Sequence, residues 1–297
     1  MFDLAKEDLA VDALLQSWPL EAVCKYPLSE ILSNDKLLYA NLIAQPVVVA
    51  SSLATWEAVR KLLPTPVIVA GYSIGELSSW AVAGALSVEE AIHLAARRAQ
   101  LLQACVVNDQ PQLMMAISLS HALSTISDLR DILHIHGFHI AIEVDEDSVI
   151  VGGLVECADA VETAVTKLGG KVNRLPIEIA SHTSWMSKAV TPFKQALIDS
   201  QIQDPKFPVL AGINGTRQHT REDACSSLPS QLAETIRWNA VMDSVNEAGV
   251  TMALEIGPGG ALAKMLKSRH QHIESRSVAD FRSLSGLQKW IERCEQT

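Results

Sequence analysis

The feature that most constrains the fold is a short β-branched run, Val67-Ile68-Val69-Ala70, passing at once into Gly71-Tyr72-Ser73-Ile74-Gly75 and then into a helical stretch from Glu76 to Ala83. The reading is strand, sharp turn, helix. In a Gly-x-Ser-x-Gly corner the serine sits on a strained strand-to-helix turn. Glycines are expected on both sides because a Cβ there would strike the adjoining strand and helix. The corner presents Ser73 Oγ, and because a helix begins there it aims the Ile74 N–H and the positive end of the helix dipole at the same point. That combination suits a nucleophile with an oxyanion donor beside it.

The flanking chain alternates strands and helices. After a helical opening to about Tyr39, the apolar run Pro46-Val-Val-Val-Ala50 continues into a helix through Arg60, which Pro64-Thr65-Pro66 breaks. A second helix opens at Ser87, whose hydroxyl can cap it while Glu90 reaches back, and runs through Gln103 with Arg97 and Arg98 midway. From Leu113 the pattern becomes a strand, a helix near Leu123 to Ile132, strands near His136 to Glu143 and Ser148 to Val151, a helix from Cys157 to Leu168, and a strand from Val172 to Ile179. This β-α-β-β-α-β order is that of a ferredoxin-like unit. Further core strands are expected at Pro208 to Asn214 and Met252 to Ile256. The expected architecture is α/β: a parallel-sheet, α/β-hydrolase-like core of residues 1–112 and 180–297, carrying an inserted ferredoxin-like subdomain of residues 113–179.

Composition narrows the function. With 24 basic and 34 acidic residues the chain carries −10, and its basic residues form no stripe that could neutralise phosphates, so nucleic acid is excluded as a partner. No membrane is expected either. The apolar runs fall short of the roughly 20 residues that span a bilayer, and Met1-Phe2-Asp3 lacks the basic and apolar regions of a leader, which predicts a cytoplasmic protein. Five scattered cysteines form no Cys-x-x-Cys pair. His134, His136 and His139 read as polar positions on a strand and turn, so no metal is expected. Gly257-Pro-Gly-Gly260 lacks the Lys-Ser/Thr of a phosphate loop and reads as a turn between a strand and the closing helix.

A serine nucleophile needs a base from elsewhere in the fold. His182, in Ile179-Ala-Ser-His-Thr183 directly after the last strand of the inserted unit, stands where an imidazole can be held toward the sheet's carboxyl edge. His93, His219, His270 and His272 lie in more polar or outward-facing surroundings. Taken with Gly71-Tyr-Ser-Ile-Gly-Glu76, four further motifs follow in order: Arg98 in Arg-Ala-Gln-Leu-Leu-Gln103, Ser181-His182, Gln231 seven positions before Trp238, and Glu255-Ile-Gly-Pro-Gly259. From about Gln45 to about Lys267 the chain resembles the malonyl-CoA:acyl carrier protein transacylases. Tyr72, Glu76-Leu77 and Trp80 make it look most like the epsilon subunit of malonate decarboxylase.

The resemblance implies a malonyltransferase working through a malonyl-serine. Ser73 would attack the thioester carbonyl of malonyl-CoA, and His182 would take its proton and return it to the departing thiol. Ile74 N–H would serve the oxyanion. The Gln231 main-chain carbonyl would orient the histidine in place of a carboxylate, and Arg98 would grip the free malonyl carboxylate with two parallel hydrogen bonds. No bound cofactor is implied. Malonyl-CoA is the substrate and a phosphopantetheine-type arm on an acyl carrier protein accepts the acyl group, with other malonate decarboxylase subunits as further partners. Arg174, Lys188 and Lys194 are the basic residues expected to steer an acidic carrier.

The resemblance also implies a leading strand and a Pro-Gly-Gln-Gly loop whose glutamine supplies a second oxyanion N–H. Here Met1-Phe2-Asp3 leads straight into helix and no such loop occurs, so the true start is expected upstream. Alternatives are a fatty-acid-synthesis transacylase, a serine esterase using the same corner, and an inactive docking homologue lacking its first strand.

Overall fold

The computed structural model describes residues 1–107, 109–119 and 126–296, and side chains except those of 126–128. A 3-10 turn (Ala5–Glu7) and four short helices, α1 (Leu9–Ser17), α2 (Leu20–Cys24), α3 (Leu28–Ser33) and α4 (Asp35–Tyr39), precede the long helix α5 (Asn41–Val59). Phe2, Ala5, Val11, Leu15 and Leu20 are buried, so this opening segment packs into the main core. The corner follows as β1 (Val69–Ala70) and α6 (Gly75–Val82), then α7 (Val88–Gln103). Next come β2 (Gln112–Ser118), α8 (Ile126–Ile135), β3 (His139–Asp145), β4 (Ser148–Leu154), α9 (Ala158–Lys167) and β5 (Lys171–Arg174). The chain ends with α10 (Ser187–Asp199), β6 (Val209–Leu210), β7 (Arg217–Gln218), α11 (Arg221–Ser230), β8 (Ile236–Arg237), α12 (Trp238–Glu247), β9 (Met252–Glu255), α13 (Ala261–Arg269), β10 (Glu274–Ser277) and α14 (Leu284–Glu295).

The expected α/β architecture is present, but its parallel pairings are short and lie in three separate sheets. β1 pairs in parallel with β6, to which β7 adds an antiparallel edge, and β9 pairs in parallel with β10. The strand expected over Val67–Ala70 is confined to Val69–Ala70, and that over Pro208–Asn214 to Val209–Leu210. Residues Pro46–Ala50 are helical throughout, inside α5. This helix is apolar on nearly every side because it is buried on nearly every side: Val47, Val49, Ala50, Leu53, Ala54 and Val59 all lie in the core. By length and hydropathy α5 matches a bilayer-crossing helix, and its burial within the fold accounts for that composition.

The third sheet has the order β5-β2-β4-β3-β8. Its first four strands are antiparallel to their neighbours, and together with α8 and α9 they have the strand order of a ferredoxin-like unit. Residue alternation on β2 sends Met115 and Ile117 into the cluster under α8 and α9, and Met114 to the opposite face against Trp238 and Met242. Leu123, where the first helix of this unit was expected to begin, lies outside the described residues. The strand expected to reach Ile179 ends at Arg174. A fifth strand, β8, joins in parallel with β3 through Ile142 and Ile236, so residues from beyond position 180 continue this sheet.

Candidate active site

Helix α7 begins with the capping box expected from sequence: Ser87 Oγ accepts from Glu90 N–H and Glu90 accepts from Ser87 N–H. Its buried residues, Ala91, Ile92, Leu94, Ala95, Arg98, Ala99 and Leu102, fall at helical spacing on one face. Arg98 belongs to that face and is 3% exposed, whereas Arg97 points to solvent.

The corner holds Ser73 at φ 53°, in the left-handed region, and closes with Gly75 N–H donating to Tyr72 O and Glu76 N–H to Ser73 O. The two glycines differ. A Cβ on Gly71 would lie 2.2 Å from backbone atoms of Gly75 and Glu76, whereas one on Gly75 meets nothing within 4 Å. The sequence expectation that both are sterically required therefore holds for Gly71 alone, because Gly75 already lies in the first turn of α6 with its Cβ direction open. The Ile74 N–H has no acceptor among the described residues.

His182, 109 positions along the chain, meets Ser73: its Nε2 lies 2.7 Å from Ser73 Oγ. The His182 backbone is also left-handed, at φ 63°, and its N–H donates to Leu232 O. Its Nδ1 lies 2.5 Å from Gln231 O. A carbonyl only accepts, so the ring proton is on Nδ1 and Nε2 is free to receive the serine proton. Burial, then the nearby Arg98 charge, pull the His182 pKa down to about 3, against an upward pull from the Gln231 carbonyl. The ring is thus neutral at physiological pH.

Arg98 donates from Nη1 to Gln45 Oε1 (2.7 Å), and from Nη2 to Gln231 Oε1 (3.2 Å) and Ser73 Oγ (3.4 Å). Gln45 in turn donates to Asn41 Oδ1, which fixes its amide with the oxygen toward the arginine. Desolvation lowers the Arg98 pKa to about 10, partly offset by Glu76, so the guanidinium stays charged at neutral pH.

The structure thus brings Ser73, Ile74, Arg98, His182 and Gln231 to one place. Sequence reasoning passed over two neighbours. Gln45 served only to mark where the resemblance begins, and Glu76 only as a motif flank. Both carried a signal: each is a polar residue in a helix whose other positions are almost all apolar or small, and such a residue must find a partner inside. His93 is exposed on α7, and His270 hydrogen-bonds Asp243 away from the corner. Arg174, expected to steer a carrier, is instead paired with Asp159 and Glu162, which cancels the charge that role requires. Tyr72 stacks edge-on against Trp238 with ring centroids 5.2 Å apart, and burial raises its phenol pKa far above the usual range.

Comparison with known proteins bears on the family and the fold. A malonyl CoA-acyl carrier protein transacylase of Mycobacterium bovis is 29% identical over 252 residues, 82% of this chain and 81% of the relative. One from Bacillus subtilis is 24% identical over 246 residues, 80% of this chain and 75% of the relative. Among solved structures, the Coxiella burnetii malonyl CoA-acyl carrier protein transacylase superposes with a TM-score of 0.88 at 23% identity, covering 98% of this chain and 92% of that one. A malonyl-transacylase in complex with a type II polyketide synthase acyl carrier protein gives 0.86 at 23% identity, covering 97% of this chain and 93% of that one. The acyl transferase domain family matches residues 4–289. With that match spanning nearly the whole chain, over a fold shared with solved transacylases, the chain belongs to the acyl transferase domain family.

Proposed function

We propose that this chain transfers a malonyl group from malonyl-CoA to the thiol arm of an acyl carrier protein, through a malonyl ester on Ser73. The observation that carries the reading is Arg98, a buried guanidinium whose direct partners are neutral oxygens and whose Nη2 lies 3.4 Å from Ser73 Oγ. A charge kept inside a protein without a direct carboxylate partner is costly, and a substrate carboxylate would relieve it. The relatives named as malonyl transacylases point to the same acyl group.

In the first half-reaction Ser73 Oγ attacks the thioester carbonyl while its proton passes to His182 Nε2. The tetrahedral oxyanion is stabilised by the Ile74 N–H and the start of α6. Collapse breaks the C–S bond, and the departing CoA sulfur takes the proton from His182. The second half-reaction runs in reverse with the carrier thiol as nucleophile, which regenerates free Ser73. Gln231 O holds the ring in the tautomer that both steps need. In this reading residues 1–112 and 180–297 form the acyltransferase body and residues 113–179 its inserted subdomain.

Two settings fit this chemistry. Tyr72 in the corner favours a malonate decarboxylase assembly, while the transacylase relatives favour fatty-acid synthesis. Transfer of malonyl to one class of carrier protein and not the other distinguishes them. For the mechanism itself, incubation with radiolabelled malonyl-CoA should label the wild-type chain at Ser73 and leave Ser73→Ala unlabelled. Equal label on the variant would overturn it.

A further inference from the structure

The malonyl-transfer mechanism leaves one buried ionisable group without a task. Glu76, 0% exposed in the first turn of α6, accepts at Oε2 from Gly212 N–H (2.9 Å) and from Gln231 Nε2 (2.5 Å). A Cβ on residue 212 would fall 2.7 Å from this oxygen, so glycine is what allows the backbone to approach. The other oxygen, Oε1, is buried with no hydrogen-bond partner. Gln231 passes the contact on: its Oε1 accepts from Arg98 and its main-chain carbonyl holds His182. Above about pH 7, where Glu76 is ionised, one negative and one positive charge are therefore buried a single amide apart, and they balance when no acyl group is bound.

A carboxylated acyl group seated on Arg98 adds a second negative charge to this enclosed cluster. Two carboxylates sharing one guanidinium in a poorly solvated site do not both stay ionised. The substrate carboxylate gains hydrogen bonds from Arg98, whereas Glu76 has a bare oxygen ready to carry a proton. We infer that Glu76 takes up one proton from solvent, at its carboxylate, when a carboxylated acyl group docks on Arg98, and so acts as the charge-balancing positioning residue of acyl selection. This rests on the transferase reading above.

The titration behaviour is consistent. Burial raises the Glu76 pKa to about 7 against the hydrogen bonds from Gly212 and Gln231 and, less strongly, the Arg98 charge; a substrate that neutralises Arg98 removes that last restraint and moves the pKa upward. Few other groups can intervene. From α7 the facing charge is Arg98; His182 starts from a pKa of about 3 and stays neutral; Tyr72 is held neutral by burial. On α5, Glu57 pairs with Arg60. On α11, Arg221 pairs with Glu222 and Asp223 caps the helix.

The test is calorimetric binding of malonyl-CoA and acetyl-CoA to Ser73→Ala, which cannot form the ester, in buffers of different ionisation enthalpy at pH 6 and pH 8. Acetyl-CoA carries the same phosphates but no acyl carboxylate. Malonyl-CoA should take up about one proton more than acetyl-CoA at pH 8 and close to none more at pH 6, where Glu76 is already protonated. Its affinity should fall by up to about tenfold per pH unit above 7. The excess should vanish in Ser73→Ala/Glu76→Gln. If that double variant does not fold, glutamate-13C-labelled Ser73→Ala should gain an isotope-shifted carboxylic-acid C=O infrared band at pH 8 with malonyl-CoA and not with acetyl-CoA; absence of that band overturns the inference. Equal uptake from both thioesters, or an excess that survives Glu76→Gln, overturns it while leaving the transferase reading intact. Failure of both thioesters to bind overturns the two together.

Discussion

At the scale of single residues the site turns on which groups carry charge. His182 is neutral because it is buried beside a guanidinium, and a base with a pKa of about 3 remains available far below the ordinary histidine range. Acylation of the wild-type chain by a neutral ester, which makes no use of Arg98, should therefore keep its rate from pH 7 down to pH 5, as followed by pre-steady-state release of the leaving group. Arg98→Ala removes the second-largest cause of the depression, so the acid limb should move upward in pH. The same variant should lose about a hundredfold in kcat/KM for malonyl-CoA, the value of roughly one charge-assisted hydrogen bond, with little loss for acetyl-CoA. An unchanged malonyl-to-acetyl ratio would remove Arg98 from substrate recognition.

At the scale of elements, two of the four non-glycine residues held in the left-handed region among the described residues, Ser73 and His182, belong to the site, each at a cost of about 1–3 kcal/mol. That strain is carried by short, well-anchored turns, and Gly71 is what lets the first of them close. Gly71→Ala should fail to fold or lose several kcal/mol, since its Cβ would overlap backbone that cannot move aside. Gly75→Ala should fold with unchanged or slightly higher stability, up to about 1 kcal/mol in urea unfolding, because alanine suits a first helical turn and meets nothing there. Comparable losses in both would show that the corner is not built as described. These elements also mark what the sequence made legible. The corner, the capping box of α7 and the order of strands and helices after Leu113 were readable because local patterns determine them. The start of α5 at Asn41 was not, since an apolar β-branched stretch such as Pro46–Ala50 looks alike in a strand and in a helix buried on every side. The strands expected to reach Val67, Ile179 and Asn214 stop short of them, because pairing there depends on neighbours distant in sequence. Arg98 was legible only through the resemblance, since two adjacent arginines midway along a helix otherwise read as a solvated face, and the meeting of Ser73, His182 and Gln231 likewise needed the fold or the resemblance to bring it out.

At the scale of the whole molecule, Glu76 and His182 set opposing pH dependences of stability. The folded state keeps Glu76 protonated up to about pH 7, whereas the unfolded chain releases that proton near 4.5, so this group stabilises the fold fully below pH 4.5 and progressively less as pH rises to 7. His182 acts the other way. Unfolded, it protonates near 6.5; folded, it resists until about 3, so its contribution is complete above 6.5 and is lost as pH falls toward 3. Between about 4.5 and 6.5 the folded state holds one proton on Glu76 and the unfolded state one on His182, and the two slopes cancel. Wild-type stability, measured by urea unfolding, should vary little with pH across that window as far as these groups determine it. Glu76→Gln removes one side of the balance, and its stability should fall by about 1.4 kcal/mol for each pH unit of acidification below 6.5, relative to wild type. Parallel stability curves for the two proteins over pH 4.5–6.5 would mean that Glu76 titrates like an exposed carboxylate. The charge balance between Glu76 and Arg98 would then be absent from the folded core.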